Sequence, residues 1–389
     1  MGPVIRVIGY DGSPVADQLL AGATLVMGGE RHLAAARIPV GARTLVLGDV
    51  VDGVRALLAH AGPAVVLASG DPGFFGIVRR LRAAGAEVEV HPAVSSLAQA
   101  FARAGIEWDD ATVVSAHGRD SRPALAVVRT GGKVAVLTDQ LTGPAEVAAA
   151  APAEALLMVA ERLGEPDERV TFGSPAQIAA GSWREPNVVL VLDGGPPAPP
   201  PWRVGGEPPA GGWGLPVDAF EHRDGMVTKP EVRALALARL GPRPGTVVWD
   251  VGAGSGSVGI ECARLGAAAV LVERDPEQAA RARRNADVHG VRVQVVQAPA
   301  PAALAGLPEP DAVFVGGGGA EVITAVAGYR PARVVVALAQ LERVPSTLAA
   351  LAGYDVDTVL LQVSRLQPLG EGSRLVPATP IFLVTGVLS

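Results

Sequence analysis

The sequence predicts an α/β protein of two domains, and three observations carry that reading. Short runs rich in Val, Leu and Ala alternate with Ala/Arg-rich helical stretches along most of the chain. Between Asp193 and Leu215 the segment GGPPAPPPWRVGGEPPAGGWG interrupts this alternation, and its Pro and Gly content supports neither helix nor strand. At 389 residues the chain also exceeds what one hydrophobic core usually organises. The domains are therefore placed at 1–195 and 213–389, joined by a linker at 196–212.

The elements follow in order. In the first half, strands are expected at VVLASG (65–70), VVSAHG (113–118), VAVLTD (134–139) and NVVLVLDG (187–194), with helices between them. After the linker a helix is expected at 230–240, then strands TVVWDVG, AVLVERD, VQVVQ, DAVFVGG and RVVVAL. Strands this apolar, joined by helices, imply a parallel sheet covered on both faces. No short repeat relates the halves, so they are not copies of one unit.

Composition narrows the function. Hydrophobic residues at 49% and charged residues at 19% exclude general disorder. Every long apolar run is broken by Arg, Glu, Asp or Pro before the ~18 residues a spanning helix needs, and MGPVIRVIGYDG lacks the layout of a signal peptide. A soluble, cytoplasmic protein is expected, without a membrane partner. The single cysteine, Cys262, can form neither an internal disulfide nor a multi-cysteine metal site, and core packing is its expected role. A net charge of -6 argues against a nucleic-acid partner but leaves room for a small anionic ligand in a local Arg pocket.

The strongest motif is Asp250-Val251-Gly252-Ala253-Gly254-Ser255-Gly256, between the apolar VVW and the helical VGIECARLG. Glycine removes side chains where a ligand must touch backbone, and the following helix offers unpaired N–H groups. Residues 254–259 also fit the dinucleotide pattern GxGxxG, and Glu273 in LVERDP suits the ribose of either a methyl donor or a nicotinamide cofactor. The motif by itself leaves a methyltransferase and an NAD-dependent oxidoreductase open.

Neighbouring segments decide between them. GLPVDAFEHRDGMVTKPEVRALALARL upstream, PDAVFVGGGGA downstream and the closing VSRLQPLGEGSRLVPATPIFLVTG together resemble the carbon-15 methylating domain of the decarboxylating precorrin methyltransferases of cobalamin biosynthesis, over about 212–388. The resemblance implies a Rossmann-like S-adenosylmethionine-dependent fold in which Thr228, Gly252, Ala253, Gly254, Ser255 and Gly256 contact the cofactor. It also implies that Glu273 holds the ribose and that the segment at Ala300 lies beside the adenine. Two departures stand out. The family's Asp in a GDAP-like turn is replaced by APAP at 298–301, and its strand Asn by Ala337.

In the first half, VVLASGDPGFFGIVR runs from a strand into a turn too sharp for ordinary side chains. HPAVSSLAQAFARAGIEWDDATVVSAHGRD, LTDQLTGPAEVA and ERLGEPDERVTFGS follow in the order seen in tetrapyrrole methylases, and most resemble the carbon-5 methylating partner of the same cobalamin enzymes, over about 4–193. That likeness implies two α/β sub-domains. Gly70, Asp71, Gly73, Phe74, Ser95, Ser96, Ala116 and His117 would line the cofactor cleft between them. The Gly-rich loop after the family's first strand is compressed here to residues 8–13, which raises a second possibility, a non-catalytic module that presents substrate.

The implied reaction converts precorrin-6B to precorrin-8X with two S-adenosylmethionines and loss of carbon dioxide; the cobalt-containing precorrin of the anaerobic pathway is the alternative substrate. A sulfonium methyl is already electrophilic and an enamine-like ring carbon already nucleophilic, so no catalytic side chain is nominated and no metal is expected. The ring carboxylates call for cations, for which Lys229, Arg233, Arg365 and Arg374 are candidates. The glycine loop Gly316, Gly317, Gly318 is placed beside the departing carboxylate, where a cation would stabilise the reactant. A homo-oligomer is expected.

Overall fold

The computed structural model describes residues 4–193, 212–223 and 227–388. Of the expected linker 196–212, all but Gly212 lies outside the described residues.

The first half holds two sheets. Strands β1 (Ile5–Gly9), β2 (Leu25–Gly28), β3 (Arg43–Val46), β4 (Ala64–Ala68) and β5 (Val88–His91) form a wholly parallel sheet in the order β3-β2-β4-β1-β5. Its central strands are buried almost throughout, as strands covered on both faces must be. Helices begin where side chains cap them: Ser13 accepts from the Ala16 N–H and Asp49 from the N–H groups of Val51 and Asp52.

The second sheet contains β6 (Thr112–Ser115), β7 (Lys133–Leu137), β8 (Leu156–Glu161), β9 (Arg169–Gly173) and β10 (Asn187–Leu192), in the order β6-β7-β10-β8-β9. Only β6 and β7 run parallel; the other pairs are antiparallel. The strand expected at 113–118 therefore stops at Ser115, and residues 116–118 turn, with Gly118 at φ 64°.

The second half begins with the helix Pro230–Leu240, at the expected bounds, with Pro230 in its first turn and Gly241 ending it in the left-handed region. Strands β11 (Val247–Val251), β12 (Ala268–Glu273), β13 (Val293–Gln297), β14 (Ala312–Val315), β15 (Arg333–Leu338), β16 (Asp355–Leu361) and, after the exposed hairpin β17 (Ser364–Leu369) and β18 (Gly372–Pro377), β19 (Ile381–Val387) complete the fold. The order is β13-β12-β11-β14-β15-β19-β16. The five strands read from the sequence are parallel, but β19 enters antiparallel between β15 and β16, so the sheet is mixed. A short hairpin brings the chain back into the sheet, and an antiparallel return needs no crossover helix. Cys262 is fully buried against Leu237, Val248 and Phe314, in the packing role expected.

The second sub-domain abuts the third sheet. The helix Arg122–Arg129 buries Ala126 in the cluster around Trp249, Val270 and Val313, and Arg292 reaches Asp193 at 2.7 Å.

Candidate functional sites

In the C-terminal half, β11 and β14 end side by side and each runs into glycine. Gly252 has φ 74°, and a Cβ there would lie 2.7 Å from the Gly317 nitrogen, so the 252–256 turn and the 316–319 loop meet backbone to backbone. Gly254, at φ 55°, is different: a Cβ there would meet open space. Its N–H donates to Glu273 Oε2 at 2.8 Å, and the Asp275 N–H donates to Oε1 at 2.9 Å. The carboxylate at the end of β12 is thus held still, and each oxygen keeps further acceptor capacity. Asn285 braces the turn from behind by donating to the carbonyls of Ser255 and Glu221, at 2.9 and 3.0 Å.

Asp250 accepts the Gly259 N–H at 2.8 Å, tying β11 to the first turn of the next helix. Burial pushes its carboxyl up to about 7, and the nearby Glu273 charge adds to the rise. Ala300, half-buried, packs against the core around Val296 and Leu304.

One sequence expectation is corrected. Arg233 has no exposed surface and donates to Glu261, at 2.5 Å, and to the carbonyls of Thr228 and Leu215. Its guanidinium also lies over the Phe220 ring, 4.7 Å from the centroid. With its nitrogens committed inside the protein it is no fork for a substrate carboxylate. It fixes the segment that carries Thr228. Glu261 completes the brace by accepting the N–H groups of Gly214 and Leu215, at 2.6 and 3.0 Å.

Lys229 and Arg365 line one hollow of about 150 Å³ with Glu231 and Thr379, and Arg365 pairs with Glu231 at 2.5 Å. Arg374 lies on exposed β18 opposite Gln367 and does not line that hollow.

The first half contains a cleft of about 610 Å³ between its two sheets. Gly70, Asp71, Phe74, Ser95, Ser96 and His117 line it. Ala116 does not, because its side chain is buried in the core of the second sub-domain, and Gly73 lies outside the lining, its N–H held by Asp71 at 2.8 Å. A Cβ on Gly9 would sit 1.9 Å from the Gly70 carbonyl oxygen, so the first strand ends pressed against the Gly70 turn.

Five cleft residues, Arg31, His32, Ser69, Ser115 and Glu165, escape sequence reasoning. Arg31 bridges the sub-domains, donating to Glu165 at 2.7 Å and to Ser69 at 2.6 Å. His32 approaches the same Ser69 hydroxyl at 3.3 Å, and burial, aided by the Arg31 charge, pulls its imidazole down to about 4. Ser115 is buried with no partner for its hydroxyl among the described residues. Residue spacing gives no hint of these. The separation of 134 residues between Arg31 and Glu165 is closed only by the fold.

The first half thus holds a cleft lined by the Gly70 turn, and the second half two glycine turns that meet at neighbouring strand ends. Residues 7–179 match the family model for Tetrapyrrole (Corrin/Porphyrin) Methylases, and 218–386 the one for the Precorrin methyltransferase domain. The chain is 38% identical, over 98% of its length and 95% of the relative, to precorrin-6Y C(5,15)-methyltransferase [decarboxylating] of a Sinorhizobium species. It belongs to that family. Over 44% of its length it is 36% identical to a probable cobalt-precorrin-6B C(15)-methyltransferase (decarboxylating) of Pyrobaculum calidifontis, covering 94% of that relative. Among solved structures, precorrin-6y C5,15-methyltransferase of Geobacter metallireducens is 32% identical over 46% of this chain and 97% of that one, with a TM-score of 0.43.

Proposed function

We propose that the chain methylates precorrin-6B at carbons 5 and 15 and decarboxylates the ring acetate, giving precorrin-8X, with S-adenosylmethionine as donor in both clefts. Carbon 5 is assigned to residues 1–195, and carbon 15 with decarboxylation to 213–389. The full-length similarity to a C(5,15)-methyltransferase carries this reading. The N-terminal cleft, at about 610 Å³, is of the size of a ligand site. The metal-free substrate is preferred because the full-length relative is named for precorrin, whereas the cobalt name belongs to a relative matching one half.

The residues present fit the donor. When bound, S-adenosylmethionine supplies an electrophilic methyl group. The open space at Gly254 lets a ligand approach backbone, and the braced Glu273 offers acceptors for ribose hydroxyls. Arg233 fixes the Thr228 carbonyl. Orientation of the two reactants can supply ~7 to 11 kcal/mol of the barrier, which is what rigid turns achieve. The 316–319 loop, rather than a cation, is assigned to the departing carboxylate, because a cation there would stabilise the reactant.

Among the described residues no helix is long and apolar enough to cross a membrane, and no cluster of His, Cys, Asp and Glu could hold a metal. We place the reaction in the cytoplasm and expect a homo-oligomer, to be checked by sedimentation. The deciding experiment incubates the protein with methyl-labelled donor and precorrin-6B. Mass measurement should find two labelled methyls gained and one carbon dioxide lost; one methyl, or none, would overturn the reading.

A further inference from the structure

We propose that His117 accepts the proton that carbon 5 releases on methylation, making it the general base of the N-terminal reaction. The proposal rests on the assignment of carbon-5 methylation to that cleft.

Atom balance creates the need for a base. The new carbon–carbon bond forms from a π pair of the macrocycle while the sulfur–methyl bond breaks and leaves its pair on sulfur. Positive charge passes to the macrocycle. An unsubstituted bridge carbon bears hydrogen, so conjugation returns only when that C–H bond breaks, its pair re-enters the ring and the proton finds an acceptor. The C-terminal reaction is different. Carbon 15 releases a proton there, but the decarboxylated acetate carbon takes one up, so the count closes within the product. A net acceptor is required only in the N-terminal cleft.

His117 is built for the task. It lines the cleft, and its Nδ1 lies 3.0 Å from the Thr138 carbonyl oxygen. A carbonyl only accepts, so Nδ1 carries the hydrogen and the neutral ring keeps a bare lone pair on Nε2. The carbonyl is itself anchored, because the Thr138 hydroxyl donates to Asn187 Oδ1 at 2.7 Å and the Asn187 amide donates to the Arg184 carbonyl at 3.1 Å. Asp139 pins the turn by accepting the N–H groups of Gly118, Leu141 and Thr142 at 2.8, 3.0 and 2.9 Å. A base oriented by a second group is the recurring form of such sites.

Four other titratable groups lining the cleft are less suited. Tyr10 is pushed up to about 12, chiefly by burial, and donates to Asp17 at 3.0 Å. His32 is a weak acceptor near neutrality because burial pulls it down to about 4. Glu165 is paired with Arg31 and Arg162, and Asp71 accepts the Gly73 N–H.

The test uses the full chain carrying His117→Asn, whose side-chain amide can still donate to Thr138. Carbon-5 methylation should slow by ~10²- to 10⁴-fold, the usual worth of a positioned base. Carbon-15 methylation, decarboxylation and calorimetric donor binding should be unchanged. Deuterium at carbon 5 should give a primary isotope effect larger than that of the wild type, and added imidazole should restore rate in His117→Gly. Long-range ¹H–¹⁵N spectra of the ligand-free protein should show His117 protonated at Nδ1. The proposal is overturned by a normal carbon-5 rate, by a ring protonated at Nε2, or by a slow variant with weakened donor binding and no isotope effect, which would make His117 a donor-holding residue. If the wild type itself leaves carbon 5 unmethylated, the domain assignment fails, and that is seen before any variant is compared.

Discussion

Replacing Arg233 with methionine should destabilise the C-terminal domain by about 3 to 5 kcal/mol, the usual cost of stranding one partner of a buried ion pair. Burial alone pulls this guanidinium below its ordinary range, and the Glu261 charge offsets part of that. Methionine would fill much of the volume but leave Glu261, also without exposed surface, facing only the N–H groups of Gly214 and Leu215. The carbonyls of Thr228 and Leu215 would lose their donor as well. Arg233→Lys should recover only part of the loss, because a single ammonium cannot match a planar fork with three acceptors. Urea unfolding followed through buried Trp249 reads this out. With a slope near ~2 kcal/mol/M the midpoint should fall by roughly 2 M. Arg233→Met with Glu261→Leu should be more stable than Arg233→Met alone, since neither charge is then stranded. A midpoint shift below roughly 0.5 M on that slope, or a double variant weaker than the single, would refute the reasoning.

Glu273→Gln should weaken donor binding in the C-terminal half by about 1.5 to 3 kcal/mol, the scale of a hydrogen bond to a charged group, and leave the N-terminal site alone. Unchanged calorimetry would reduce Glu273 to a brace for Gly254 and Asp275. Gly254→Val places a branched side chain in open space at positive φ, so the variant should methylate carbon 5 only; a doubly methylated product at the normal rate would move the donor elsewhere. Asp250 is raised from 3.8 to about 7, so the folded state keeps a proton that the unfolded chain releases. Its stabilising contribution is therefore full below pH ~4 and lost as pH rises to ~7. Asp250→Asn should flatten that slope in pH-dependent urea melts, and an unaltered slope would contradict it.

The legible features were those written locally. Residues 230–240 announce a helix through Pro230 and Gly241, and 250–256 announce a ligand turn because glycine recurs where φ must be positive. The cleft residues near Gly70, Ser95 and His117 stand in recognisable runs. What stayed hidden depends on distance along the chain. Arg233 reads as a cation for a substrate carboxylate because the helix periodicity does not reveal that Glu261 will neutralise it. Arg31 meets Glu165 through the packing of two sub-domains, and His117 acquires its orienting carbonyl from the next strand. The place of β19 was equally unreadable, since strand order is settled by which edge remains open.

That placement bears on how the protein is made. Synthesis runs from the N-terminus, so β16 and the hairpin emerge while the slot between β15 and β16 is still vacant. Until residues 381–387 arrive, β15 keeps an unpaired edge and β16, whose sheet partner is β19, has no backbone partner. The C-terminal domain therefore closes only after nearly all of it has been translated, and the interval before closure is when it is most exposed to mispairing and proteolysis.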